Sequence, residues 1–217
     1  MTVDLRWTGP EGGPVLVLAH GAGAAMDSAW METVAGLLAE PSRGIRVARF
    51  EFAYMAARRN GGTRKPPPRA ETLMGEYRDA VAQVTAAAGA PVAIGGKSMG
   101  GRVASLVADE LLDSGQVDAL VCLGYPFHPP GSPEKLRTAH LEGLRTPTLI
   151  CQGTRDPFGT HDEVPGYGLP ASIRLLWLDD GEHEFKPRVK ISGHTHIEHL
   201  TTVADAVAGF VRDHASR

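Results

Sequence analysis

Six short apolar runs recur along the chain with longer segments between them. They are PVLVLAH (14–20), IRVARFEF (45–52), PVAIGG (91–96), DALVCLGYPF (118–127), TPTLICQG (146–153) and SIRLLWL (172–178). Short, apolar and β-branched, such runs read as strands buried on both faces, as in a parallel sheet. The segments between carry helical character. SAWMETVAGLLAE (28–40), RAETLMGEYRDAVAQVTAAAG (69–89) and SMGGRVASLVADELLDSG (98–115) are the clearest. In IEHLTTVADAVAGFVRDHA (197–215), Leu200, Val203, Val207, Phe210 and Val211 fall on one helical face. Strand alternating with helix predicts an α/β fold: a three-layer α/β/α sandwich around a mainly parallel sheet of six or seven strands. Ligands of such sheets bind at the carboxyl ends of the strands, so the loops that follow the strands are where chemistry is expected.

A length of 217 residues predicts one domain, 1–217, with a sizeable core. The net charge of −3 argues against a nucleic-acid partner. MTVDLRWTGPEGGP lacks the continuous apolar run of a signal peptide, and no apolar run approaches the roughly 20 residues of a membrane span. Cys122 and Cys151 each sit inside an apolar run and read as buried, reduced thiols. These features predict a cytoplasmic protein with no membrane association. Oligomeric state is not encoded in any readable pattern.

IGGKSMGGRVAS (94–105) places Ser98 between Gly96 and Gly100, directly after an apolar strand and at the start of a helix. That is the setting of a nucleophile elbow, a turn so sharp that a Cβ two residues before or after the serine would collide with neighbouring backbone. The competing reading is a glycine-rich turn with Ser98 as a helix N-cap. A nucleophilic serine needs a base, and the base needs an orienting acid, in the chain order Ser, Asp or Glu, His. TRDPFG after the run at 146–153 supplies Asp156, and DDGEHEFKP after the run at 172–178 supplies His183. Asp162, Asp179 and Asp180 are rival acids, with Asp180 only three residues from His183. The trio His194, His196 and His199 suggests metal ligation, but it lacks a cysteine and a firm helical pair, and reads as solvated histidines at a helix start. His128, His140, His161 and His214 read as surface or loop residues. The transition state also needs two amides facing the new oxyanion. Met99, the residue after the serine, is expected to give one. Ala22 in the HGAG turn (20–23) is expected to give the other, with Gly23 as alternate. No metal or organic cofactor is required.

The set AHGAG, GGKSMGGR, LICQGTRDPFG and GEHEFKP, in this order and on these elements, resembles the α/β-hydrolase superfamily. More closely it is similar to small lidless serine hydrolases described as dienelactone-hydrolase-like, together with relatives named as testis-expressed or as subunits of a histone-acetyltransferase complex. The resemblance spans roughly residues 14 to 213. It implies Ser98 as nucleophile, His183 as general base and Asp156 as its orienting acid. True dienelactone hydrolases use cysteine where this chain has Ser98, which argues against dienelactone as substrate. The first strands of the full fold look reduced, since only TVDLRW precedes the run at 14. The connection from about Gly124 to Thr146 has room for one helix and a loop, so no cap domain is expected.

The implied activity is hydrolysis of a small carboxylic ester through an acyl-enzyme. A thioesterase, an amidase or peptidase, a C–C hydrolase and a non-catalytic scaffold are the alternatives. Three features stay open in the sequence. Tyr125 and Phe127 either line the cleft or pack beneath a loop. The basic segment AARRNGGTRKPPPRA (56–70) either overhangs the site and attracts anions or is a solvated, proline-stiffened loop. Lys97 either biases substrate charge or reaches solvent.

Overall fold

The computed structural model describes residues 3–59, 61 and 66–215. Seven strands form one sheet: β1 (Leu5–Thr8), β2 (Val15–Ala19), β3 (Arg46–Phe50), β4 (Val92–Lys97), β5 (Val117–Leu123), β6 (Thr148–Gly153) and β7 (Ile173–Leu178). Their order is β1-β3-β2-β4-β5-β6-β7. Only β1 runs antiparallel, paired with β3. The six apolar runs of the sequence are β2 to β7. The end of TVDLRW, Leu5 to Trp7, together with Thr8 contributes the seventh strand, on the sheet edge.

The central strands β2, β4 and β5 are buried almost throughout, as a strand covered on both faces must be. Helices α3 (Met74–Ala88) and α4 (Met99–Asp113) cover one face, where Tyr77, Val81, Val103 and Val107 meet Val17, Ile94 and Leu120. Helices α1 (Ala29–Ala39) and α6 (His196–His214) cover the other, where Leu38, Val203 and Val207 meet Leu16, Leu18 and Val121. Alternate residues of each strand therefore feed two separate cores.

The chain steps outward from β2 to β3, then returns to β4 on the other side of β2. The loops leaving β2 and β4 thus diverge at a point where the strand order reverses, and a crevice opens there.

Several local expectations need correction. The basic segment begins as a helix, α2 (Ala53–Arg59), and Ala70–Leu73 forms a 3-10 turn leading into α3. Arg64 and Lys65 lie outside the described residues. The 124–147 connection holds no α-helix, only a 3-10 turn at Ala139–Leu141. The strand at 117 ends at Leu123 rather than running to Phe127. Tyr125 and Phe127 are fully buried and pack on each other with ring centroids 4.9 Å apart, so they sit beneath the loop and do not line a cleft. Cys122 and Cys151 are buried free thiols. A short helix α5 (Val189–Ser192) precedes α6. Among the described residues no helix is long and apolar enough to cross a membrane.

Candidate active site

Ser98 sits between β4 and α4 with φ 50° and ψ −115°, a backbone conformation that side-chain-bearing residues rarely adopt. Its N–H is tied to the Leu123 carbonyl at 2.9 Å, and its carbonyl accepts from Arg102 N–H at 3.0 Å. The glycines around it answer to contacts. A Cβ on Gly96 would lie 2.5 Å from the Gly100 carbonyl carbon and 2.8 Å from the Ala19 oxygen. A Cβ on Gly100 would lie 2.6 Å from the His20 oxygen. Ser98 does occupy the N-cap position of α4, but its side chain makes no capping bond, so capping does not account for it.

Ser98 Oγ lies 2.9 Å from His183 Nε2, and His183 Nδ1 lies 2.8 Å from Asp156 Oδ2. A carboxylate oxygen can only accept, so Nδ1 carries the proton and Nε2 is left to accept from the serine hydroxyl. Asp156 is fully buried, and its other oxygen accepts from Phe158 N–H at 2.9 Å. Phe158 also covers the imidazole, with ring centroids 4.4 Å apart. The rival acids stand elsewhere. Asp162 is exposed, and Asp179 is exposed. Asp180 is held by Arg188 and by Arg155, the latter at 2.8 Å, and these cations push its carboxyl well below the usual range.

The loop bearing His183 is fixed at three successive carbonyls. Lys97 Nζ donates to the His183 oxygen at 2.5 Å. Trp30 Nε1 and His196 Nε2 both donate to the Glu184 oxygen, at 3.1 and 2.8 Å. His199 Nδ1 donates to the Phe185 oxygen at 2.9 Å. Phe185 itself is buried at φ 68°. The solvated reading of the histidine trio is therefore corrected at His199, which is buried and braces this loop. The signal was present in the sequence: 199, 203 and 207 are spaced by four, so His199 extends the buried stripe of α6. His128 is also buried, and His140 is half-buried, with Nε2 2.8 Å from Ser105 Oγ; burial pushes its imidazole down to about 4. Both lie in the connection after β5, as expected of loop residues, but neither is an exposed surface residue. Among the described residues no three His, Cys, Asp or Glu side chains converge as a metal ligand set.

The turn after β2 is held just as firmly. His20 is buried, its Nε2 accepts from Phe52 N–H at 3.2 Å, and its Nδ1 lies 2.7 Å from the Gly21 oxygen. Nδ1 is therefore the protonated nitrogen, and burial pushes the ring toward this neutral form. Tyr54 OH donates to the Ala22 oxygen at 3.1 Å, and Arg49 Nη1 to the Met26 oxygen at 2.9 Å. Arg59 bridges Asp27 and Glu51, so the start of the basic segment clamps this turn rather than floating in solvent. Ala22, Gly23 and Ser98 line one cleft of about 430 Å³ together with Trp30 and His183. Ala22, Ser98 and Met99 line a second of about 390 Å³. The two expected amide donors thus flank the serine. Lys97 does not reach solvent. It is buried beneath the first cleft, and desolvation pushes its ammonium down to about 8.

A family profile described as "Alpha/beta hydrolase domain" matches residues 12–212. The chain belongs to this family. As an α/β-hydrolase it superposes on many solved structures. A dienelactone hydrolase from Anabaena variabilis ATCC 29413 is 21% identical with a TM-score of 0.73, over 99% of this chain and 94% of that one. An esterase domain from a Rhodothermus marinus protein is 17% identical with a TM-score of 0.69, over 99% and 94%. Est1E from Butyrivibrio proteoclasticus, with ferulic acid bound, is 14% identical with a TM-score of 0.69, over 98% and 95%. No curated protein matches the chain significantly in sequence. At these identities the structural neighbours establish the fold of this α/β-hydrolase and nothing finer. This chain is a small lidless form, since its 124–147 connection carries no cap.

Proposed function

We propose that this α/β-hydrolase is a serine hydrolase that cleaves small carboxylic esters. The observation that carries the reading is the unbroken relay from Ser98 Oγ to His183 Nε2 and from His183 Nδ1 to Asp156. His183 takes the hydroxyl proton as Ser98 Oγ attacks the ester carbonyl. The amides of Met99 and Ala22 hold the oxyanion. Collapse expels the alcohol, which receives the proton from His183, and leaves an acyl group on Ser98. Water, deprotonated by His183, then attacks that acyl group. The acid leaves and Ser98 regains its proton. The buried Asp156 carboxylate stabilises the imidazolium formed in each step. The uncapped cleft favours a short acyl chain or the accessible end of a larger molecule over a long buried lipid tail.

A fluorophosphonate probe tests the reading. Wild type is expected to label covalently, and Ser98→Ala and His183→Ala to lose the label. Asp156→Asn is expected to lower ester turnover by about three to four orders of magnitude, because the imidazole loses its correct tautomer. A folded wild type that neither labels nor turns over any ester would remove the proposal.

A further inference from the structure

The second cleft beside Ser98 has a charge pattern that ester hydrolysis alone does not require. Its walls carry Arg69, Arg102 and Arg137 against a single acid, Glu71. Arg102 Nη2 spends that acid, bonding Glu71 Oε1 at 2.6 Å, while Arg102 Nε is buried with no hydrogen-bond partner. The Arg137 guanidinium has no partner among the described residues, and it is half-buried. Its backbone is fixed: Arg137 N–H donates to the Phe127 oxygen at 2.7 Å, and its carbonyl accepts from Tyr125 OH at 3.1 Å. Burial, then the Arg102 charge, push its guanidinium below its ordinary range. Two cations are therefore held close together in a partly dry wall with only one counter-charge. That arrangement is unfavourable unless something else neutralises it. Pro67, Pro68 and Pro126 form stiff walls around them, and Arg69 stands exposed at the rim.

We propose that the ester substrate carries a carboxylate or phosphate group, and that Arg137 and Arg102 receive it in this cleft. The proposal rests on Ser98 being the nucleophile, because the cleft shares Ser98, Ala22 and Phe158 with its neighbour. An oxyacid anion accepts from the free guanidinium fork in the planar geometry that arginine presents and lysine does not. The anion thus docks in one arm while the rest of the substrate lies across Ser98 toward the less charged arm bounded by Trp30.

Two matched ester pairs decide it. Mono-4-nitrophenyl glutarate against its methyl ester places the anion on the acyl side. 4-Acetoxybenzoate against its methyl ester places it on the alcohol side. In at least one pair the anionic member is expected to have kcat/KM about tenfold or more above the neutral one, as a charge-assisted bond would give. That ratio is expected to collapse in Arg137→Gln, to be partly restored in Arg137→Lys, and to fall in wild type as salt is raised to about 0.5 M. Ratios at or below one in both pairs, or a ratio indifferent to both salt and Arg137→Gln, would overturn the proposal while leaving ester hydrolysis intact. Sodium glutarate and glycerol phosphate, titrated separately by calorimetry, show which anion the arm prefers. They also judge the site if no ester is turned over and Ser98 does not label. Binding lost in Arg137→Gln supports the arm. Absence of binding by either anion sinks it.

Discussion

At the scale of single residues, the buried cation next to Ser98 has the sharpest consequence. Lys97 is held near 8 while an unfolded lysine titrates near about 10.4. Between those values the unfolded chain binds more protons, so stability rises with pH. Below pH 8 both states are charged and the full cost of burying the ammonium is present. As pH rises through 8 the folded state sheds that proton first and the cost is relieved. Wild type is therefore expected to gain about 2 kcal/mol relative to Lys97→Met between pH 7 and about pH 9.5, read from urea unfolding at each pH. A difference that stays flat across that range would mean the ammonium is solvated. Residue by residue, the sequence disclosed what topology demands. Ser98, Asp156 and His183 each follow a strand, so their positions could be read without side-chain geometry. The spacing of His199 announced its burial, but not that it, His196, Lys97 and Trp30 converge on three carbonyls of the His183 loop: Lys97 and Trp30 come from segments far away in the chain, and the two histidines fold back across an irregular loop that has no readable period. Separation in sequence likewise hid the pairing of Arg59 with Asp27.

At the scale of elements, the strand–elbow–helix unit of β4 and α4 is a steric object before it is a chemical one. The atoms facing a Cβ at Gly96 are all backbone, of Gly100, Gly101 and Ala19, and none can swing aside. Gly96→Ala is expected to cost about 3 kcal/mol, at the upper end of ordinary overpacking, and to abolish probe labelling even where the fold survives. Gly36 supplies the contrast. It lies exposed in α1 with nothing within 4 Å of an added Cβ, so Gly36→Ala is expected to stabilise by about 0.5–1 kcal/mol. Thermal or urea unfolding of the two variants reads both signs, and equal effects would contradict the steric account. Tyr77 on α3 supports the same strand from below, accepting from Gly95 N–H at 2.9 Å and donating to the Gly95 oxygen at 2.8 Å. Element boundaries were legible where apolar periodicity ended cleanly. They were not where a buried loop imitates a strand, as at Tyr125 and Phe127, or where a helix such as α2 carries one buried side chain, Met55, and therefore shows no apolar face.

At the scale of the whole molecule, a parallel sheet has two unlike ends, and cavity size does not tell them apart. A cleft of about 510 Å³ is larger than either cleft beside Ser98, yet it is bordered by Val15, Arg46, Pro91 and Asp118, at the amino ends of β2 to β5. Helix N-termini and the loops that follow strands point to the opposite end, where Ser98, Asp156 and His183 leave β4, β6 and β7. The rule that open α/β sheets bind at their carboxyl ends therefore assigns the larger cleft to structure. Arg46 tests this. Its guanidinium stacks 4.3 Å from the Trp7 ring centroid and so ties the antiparallel edge strand β1 to β3. Arg46→Ala is expected to cost about 1 kcal/mol of stability, the scale of a partly exposed cation–π contact, and to leave probe labelling of Ser98 within about twofold of wild type. Should Arg46→Ala retain its stability but lose labelling, the amino-terminal cleft would have to take part in the chemistry, and the separation of a stabilising end from a reactive end would not hold for this sheet.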